Sequence, residues 1–263
     1  MGSKEQDLHL AVRNGDKASV EKLLSSGTNI NCFFYGWTPL QLAIDIGNQE
    51  LAITLVEAGS NINFHDKNHK SPFEEAVLKT QAKVVEALLQ KGVSGDIFLV
   101  KGETPLTYAV EKESLDLLKV LVQGRVDINK CNSKGRSALY LAAKNGDDDL
   151  VKALIAAMAD INYTCREEGG YTPLIVAAAN EHKSVTSLLA KQPGCELNYQ
   201  DGDGWTALWH AYSNARDDIC AVLLRAGASK NVPNGEERTV VQDATENEDE
   251  IMLEVFQKYN LMM

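Results

Sequence analysis

The sequence predicts an all-α solenoid of stacked helix–turn–helix units, each about 33 residues long and each followed by a protruding β-hairpin finger. Three observations predict it. A short motif, hydroxyl then proline or alanine then a large apolar residue, returns as Thr38-Pro39-Leu40, Ser71-Pro72-Phe73, Thr104-Pro105-Leu106, Ser137-Ala138-Leu139, Thr172-Pro173-Leu174 and Thr206-Ala207-Leu208, at spacings of 33, 33, 33, 35 and 34. A small residue follows each motif (Ala43, Ala76, Ala109, Ala142, Ala177, Ala211). An apolar pair then closes each unit (Leu55-Val56, Leu88-Leu89, Leu121-Val122, Leu154-Ile155, Leu188-Leu189, Leu223-Leu224). One such unit cannot bury its own apolar face, so the units must stack.

Each element of the period has a physical role. The Thr or Ser hydroxyl accepts a bond from an unpaired N–H at the start of the first helix. Proline beside it occupies the first helical position, where no donor is needed. The alanine lets neighbouring helices approach closely. A glycine (Gly15, Gly47, Gly146) ends the first helix in a left-handed conformation. The apolar pair faces the core from the second helix, and Gly59, Gly92, Gly124 or Gly227 is expected to end that helix in the same way. An Asp/Asn-rich turn (Asn61–Asn63, Asp127–Asn129, Asp160–Asn162) then leads into the finger.

The units run over approximately 4–35, 36–68, 69–101, 102–134, 135–169, 170–203 and 204–236. A cut-short, Glu-rich capping unit follows at 237–263, giving one domain across 1–263. In the first unit Gln6-Asp7 stands where the others carry a hydroxyl followed by proline or alanine. Repeat three has Thr80 at the helix-ending glycine and His69 at the finger glycine. Residues 93–101 have lost the Asp-x-Asn signature. Repeat five lacks glycine after its second helix (Ala157-Met158-Ala159), and its loop Tyr163–Gly170 is longer by about two residues.

This pattern resembles the ankyrin repeat, whose signature is Thr-Pro-Leu-His-x-Ala at a period of about 33. The resemblance spans nearly the whole chain. It implies a binding scaffold or adaptor that takes a protein or extended peptide on a concave face of fingers and first helices, without catalysis.

Composition agrees with a binding role. The chain is 44% apolar and 24% charged, with a formal charge of −11, so nucleic-acid backbones and anionic membranes are repelled in general. Residues 236–263 carry eight acids against Arg238 and Lys258. No apolar run is long enough to span a bilayer, and residues 1–12 lack the apolar core of a secretory leader. Five scattered cysteines without a CxxC pair suggest reduced thiols in a cytoplasmic compartment. No catalytic motif is present, and neither cofactor nor metal is expected. His65 and His69 stand four apart on a finger without a third ligand. Asp147–Asp149 opens a helix, where acids complement the dipole. The chain is expected to be monomeric on its own.

The position before each capping hydroxyl reads Trp37, Lys70, Glu103, Arg136, Tyr171, Trp205 and Arg238. Nothing in a helix core requires aromatics there, and Trp, Tyr and Arg dominate binding hot spots. Phe33, Phe34 and Tyr35 extend the first aromatic zone. Tyr140 and Trp209 replace the histidine of the family signature, where they either line the groove or fill gaps between repeats. The candidate partner-binding residues are therefore Phe34, Tyr35, Trp37, Lys70, Glu103, Arg136, Tyr140, Tyr171, Trp205 and Trp209. Two alternatives stand beside a protein partner. By resemblance to nucleotide-sensing members of the family, Trp37 and Lys70 would hold a base and a phosphate of a nucleotide or oligonucleotide. The chain would also suit the targeting arm of a bacterial effector or of a larger enzyme complex.

Overall fold

A computed structural model describes residues 3–65 and 70–259, so His69 lies outside the described residues. These residues form sixteen α-helices in antiparallel pairs and divide into two compact units. The first unit comprises residues 1–100 and 104–127. Its pairs are α1 (Lys4–Arg13) with α2 (Lys17–Ser25), α3 (Pro39–Asp45) with α4 (Gln49–Glu57), α5 (Pro72–Leu78) with α6 (Ala82–Gln90), and α7 (Pro105–Glu111) with α8 (Leu115–Gln123). The second unit comprises residues 101–103 and 128–263. Its pairs are α9 (Ala138–Asn145) with α10 (Asp148–Ala156), α11 (Pro173–Ala179) with α12 (Lys183–Ala190), α13 (Ala207–Ser213) with α14 (Asp217–Ala226), and α15 (Val240–Glu246) with α16 (Glu250–Lys258). Within each unit the first helices pack in one row and the second helices in another.

The repeating hydroxyls act as caps. Thr38 accepts from the Gln41 N–H while the Gln41 side chain accepts from the Thr38 N–H, and Thr104/Thr107 and Thr239/Gln242 repeat this reciprocal pair. Ser71, Ser137, Thr172 and Thr206 each cap one N–H. The first repeat departs from the sequence alignment. Ser3 caps α1 with Gln6 as its reciprocal partner, so the helix begins about one turn before the aligned position. Asp147 caps α10 by accepting from Asp149 and Leu150. The alanines and at least one member of each apolar pair meet in the core: Ala43, Leu55, Ala109, Leu121, Ala142, Leu154, Ala177 and Leu189 have no exposed surface, whereas Leu89, Val122, Ile155 and Leu188 are only half-buried. Burying a large aliphatic side chain stabilises by about 1.5–3 kcal/mol.

Three local expectations are corrected. Gly124 does not take the left-handed position after α8. Its φ is −71°, and Arg125 (φ 59°) takes that conformation instead. Gly124 answers a steric demand, because a Cβ there would sit 2.5 Å from Leu89 Cδ1. The finger after repeat three has lost less than its sequence suggests, since Asp96 still makes the bond that asparagine makes elsewhere. The fingers are also not laddered hairpins: among the described residues β-pairing is limited to two isolated antiparallel bridges, Phe34 with Trp37 and Cys165 with Tyr171.

That shared bond forms a ladder. The side-chain oxygen of one turn accepts the backbone N–H of the next. In the first unit Asn31 accepts from Asn61 (2.7 Å) and Asp96 from Asp127 (2.8 Å). In the second Asn129 accepts from Asp160 (2.9 Å), Asn162 from Glu196 (2.9 Å) and Asn198 from Ser229 (2.7 Å). Fingers of the second unit are joined by a further set of backbone bonds: Ser133 N–H to Gly102 O (2.8 Å), Gly202 N–H to Gly169 O (2.7 Å) and Gly235 N–H to Asp203 O (3.2 Å).

Candidate partner-binding surface

In the first unit the finger after α2 closes as a two-residue turn. Phe34 and Trp37 exchange both backbone bonds (3.0 and 3.1 Å), and the central Tyr35 and Gly36 both have positive φ (52° and 86°). Such a turn matches the twist of its flanking strands and favours Asn-Gly. Tyrosine at its first central position is strained by about 1–2 kcal/mol, and the residue is 84% exposed. Tyr35 packs edge-on against Phe34 (4.4 Å between centroids), and Phe34 against His9 (5.8 Å). With Trp37, Leu10 and Arg13 these rings border a cleft of about 200 Å³. Burial lowers the His9 pKa, the Cys32 carbonyl opposes this, and Arg13 adds to the lowering. Lys70 is half-buried, 3.4 Å from Glu75.

In the second unit the rings of Tyr171 and Trp205 both pack on His210 (5.0 and 5.2 Å), and Trp205 also on Trp209 (5.6 Å). Both rings are half-buried. Asp201 organises the finger. One of its oxygens accepts from the backbone of Asp203 and Trp205, and the other lies 2.6 Å from His210 Nε2. Asp201 and His210 were not candidates from sequence. The signal was present, because Asn132 before Arg136 and Asn234 before Arg238 share the four-residue offset of Asp201 before Trp205 and make the same pair of turn bonds.

Four candidates have internal partners instead of an open face. Tyr140 is fully buried and donates its hydroxyl to Glu168, so it fills the gap rather than lining the groove. Arg136 forms an ion pair with the same carboxylate, and Lys144 approaches it at 2.8 Å. Glu103 is buried, with both oxygens accepting from Asn132 Nδ2 (3.1 and 2.9 Å). Trp209 is 4% exposed, its indole N–H directed at the Val232 carbonyl (3.4 Å). The cause at Tyr140 and Arg136 is the longer loop of repeat five, whose single 3-10 turn Arg166–Glu168 delivers the Glu168 carboxylate. Tyr140, Glu103 and Trp209 are thus buried, and Arg136 stays half-buried with its guanidinium paired to Glu168.

Burial pushes the Glu168 carboxyl up, but Lys144, Tyr140 and Arg136 together outweigh it, and the net shift is downward. A depressed carboxyl stabilises the fold above its unfolded pKa, about 4.3 for Glu. That contribution is lost as pH falls through the lowered folded value. Glu168→Gln is expected to destabilise the second unit by about 1–3 kcal/mol at neutral pH and to flatten part of its acid sensitivity. Urea midpoints at neutral pH and below about pH 4 test this, and a variant with unchanged midpoints at both would refute it.

Burial raises the Cys195 thiol to about 11 and the Cys220 thiol to about 12, which keeps both protonated at neutral pH. Among the described residues no group of three or more His, Cys, Asp or Glu could hold a metal ion, and no helix is long and apolar enough to cross a membrane.

Comparison with known proteins agrees with this architecture. A family model described as ankyrin repeats matches residues 8–99, 95–165 and 149–234. Two solved structures share the fold. The ankyrin repeat domain of Bcl-3, a member of the IkappaB family, has a TM-score of 0.66 at 23% identity, covering 82% of this chain and 97% of that one. The ankyrin repeat domain of human ASB11 has a TM-score of 0.62 at 24% identity, covering 78% and 91%. Among curated sequences, the ankyrin repeat, SAM and basic leucine zipper domain-containing protein 1 of Notamacropus eugenii is 34% identical over 115 residues, and that of Ornithorhynchus anatinus 34% over 113. Each match covers 39% of this chain, which spans 23% of those relatives' length. The chain belongs to the ankyrin repeat family, whose domains generally mediate protein–protein interaction and are typically non-catalytic.

Proposed function

We propose that this chain is a non-catalytic scaffold or adaptor that holds a protein or extended peptide on the face made by its fingers and first helices. The observation that carries the reading is Tyr35. A tyrosine held in left-handed backbone at a finger tip, 84% exposed beside Phe34 and Trp37, satisfies no need of the core. Sterically costly exposed features persist where function uses them. Tyr171 and Trp205 supply aromatic surface in the second unit, held in place by His210. Carboxylates beside Trp205 (Glu236, Asp243, Asp249) weigh against a phosphate-bearing ligand there.

The test is quantitative affinity capture with the intact chain, comparing wild type with Tyr35→Ser, with Trp205→Ala, and with an outer-face control, Glu21→Ala. Partners should be depleted at least about fivefold by a finger variant, the scale of one hot-spot side chain, and unaffected by the control. Equal recovery across all four proteins would overturn the reading.

A further inference from the structure

We infer that the second unit carries a docking cleft for an arginine-bearing basic segment of the partner, beside Trp205 between the finger at 232–238 and helices α13 and α15. This rests on the proposed binding face and specifies the chemistry of what that face accepts there.

The cleft measures about 570 Å³, and its walls include Trp205, Trp209, Tyr212, Glu236, Asp243 and Asp249 beside neutral polar side chains. The aromatic rings are contiguous: Trp205 to Trp209 at 5.6 Å, Trp209 to Tyr212 at 6.0 Å. Half-buried Trp205 presents its ring surface beside the carboxylates of Glu236 and Asp249, while Trp209 and Tyr212 are buried and Asp243 is already paired with Arg238. Ring faces attract cations through their quadrupole, and nearby carboxylates add Coulombic attraction that partial burial strengthens. The surrounding segment reinforces both, since residues 236–259 hold eight carboxylates against Arg238 and Lys258.

Guanidinium fits better than ammonium. It is planar, stacks on aromatic surfaces and forks onto carboxylates, and it is more weakly hydrated. The chain already shows the chemistry on the rim, where Arg238 sets one guanidinium nitrogen 2.9 Å from Asp243 Oδ1 while the Tyr212 hydroxyl donates to Asp243 Oδ2 (3.1 Å). A single side chain would leave much of the volume empty, so the occupant is a stretch of peptide and not a small cation.

The experiment titrates the full chain with a short fluorescein-labelled Gly-Arg repeat peptide and with matched Gly-Lys and Gly-Glu peptides, following anisotropy and the indole ¹⁵N resonances of Trp205 and Trp209. The arginine peptide should bind saturably and shift both indoles, with the lysine peptide at least about fivefold weaker and the glutamate peptide silent. Trp205→Ala should weaken arginine-peptide binding by about fivefold or more, the scale of a partly desolvated cation–π contact. The double variant Glu236→Gln/Asp249→Asn should do likewise. Because asparagine caps a helix as well as aspartate, it keeps the bond that the side chain at 249 accepts from the Met252 N–H and keeps the test valid even if Trp205→Ala unfolds. Lysine binding as tightly as arginine, or an affinity indifferent to the double variant, would overturn the inference. If both peptides fail while partner capture still depends on Trp205, the arginine assignment falls and the binding face stands. If capture is also indifferent, both fall.

Discussion

Tyr140→Ala is expected to destabilise the unit formed by residues 128–263 by about 3–5 kcal/mol, the range for truncating a large buried aromatic side chain. Tyr140 has no exposed surface, so its removal leaves a void lined by packed atoms. It also supplies the hydroxyl donor to Glu168, and a carboxylate deprived of a partner in a half-buried place adds its own penalty. Burial first, and then the Glu168 bond and charge, drive the tyrosine pKa upward, so the hydroxyl stays protonated and donating at any physiological pH. Tyr140→Phe keeps the volume and loses only the bond, for about 1 kcal/mol. In stacked repeats stability is a sum of local and nearest-neighbour contributions, so the loss should emerge as an early transition reported by Trp205 and Trp209 fluorescence. Urea unfolding of both variants checks this. Equal midpoint shifts for alanine and phenylalanine would show that the cavity is not the cause.

Gly204→Ala should have the second largest effect. Gly204 has φ +78°, and an added Cβ would lie 2.5 Å from the Gly235 nitrogen and 3.0 Å from its Cα. Left-handed strain and steric overlap each cost about 1–3 kcal/mol. Both apply here, and neither neighbouring atom belongs to a side chain that can swing away. The finger at 234–238 must therefore shift, taking with it the Gly235 N–H bond to Asp203 O. Gly194→Ala is the control, since it shares a positive φ (+81°) but has no atom within 4 Å of the added Cβ. The alanine at 204 should lower the thermal midpoint by at least twice as much as the alanine at 194. Equal shifts would mean that the fingers do not bear on each other as the geometry requires.

Much of the fold was legible because each repeat restates the same local chemistry. Thr38, Thr104 and Thr206 announce helix starts through caps that depend on only three or four neighbouring residues. The left-handed position was harder to read. Thr80, Glu113, Arg125, Met158, Glu181, Ala215 and Glu248 all adopt positive φ without being glycine. Packing of adjacent helices imposes the turn, and composition no longer marks it. The candidate site was legible only as a row of residue types. Sequence put Arg136 in the row before the capping hydroxyls and left Tyr140 either lining the groove or filling a gap, but it could not show that a loop some thirty residues later would bring Glu168 back to occupy both. Asp201 was missed because aspartate in an Asp-Gly-Asp-Gly run reads as an ordinary turn, and its bond to His210 is made only when the finger meets the helix.

The ladder of turn side chains has a polarity. In each of these five rungs among the described residues the acceptor belongs to the earlier repeat and the donor is a main-chain amide of the later one. A main-chain donor makes no demand on the identity of the residue that carries it, and Asn61, Asp127, Asp160, Glu196 and Ser229 all serve. Any repeat that keeps its own acceptor can therefore precede any other. Duplicating or excising whole modules in the gene would leave a sound rung at the seam, so at a new junction repair falls on side-chain pairs such as Glu103 with Asn132 and Tyr140 with Glu168, and not on the rung.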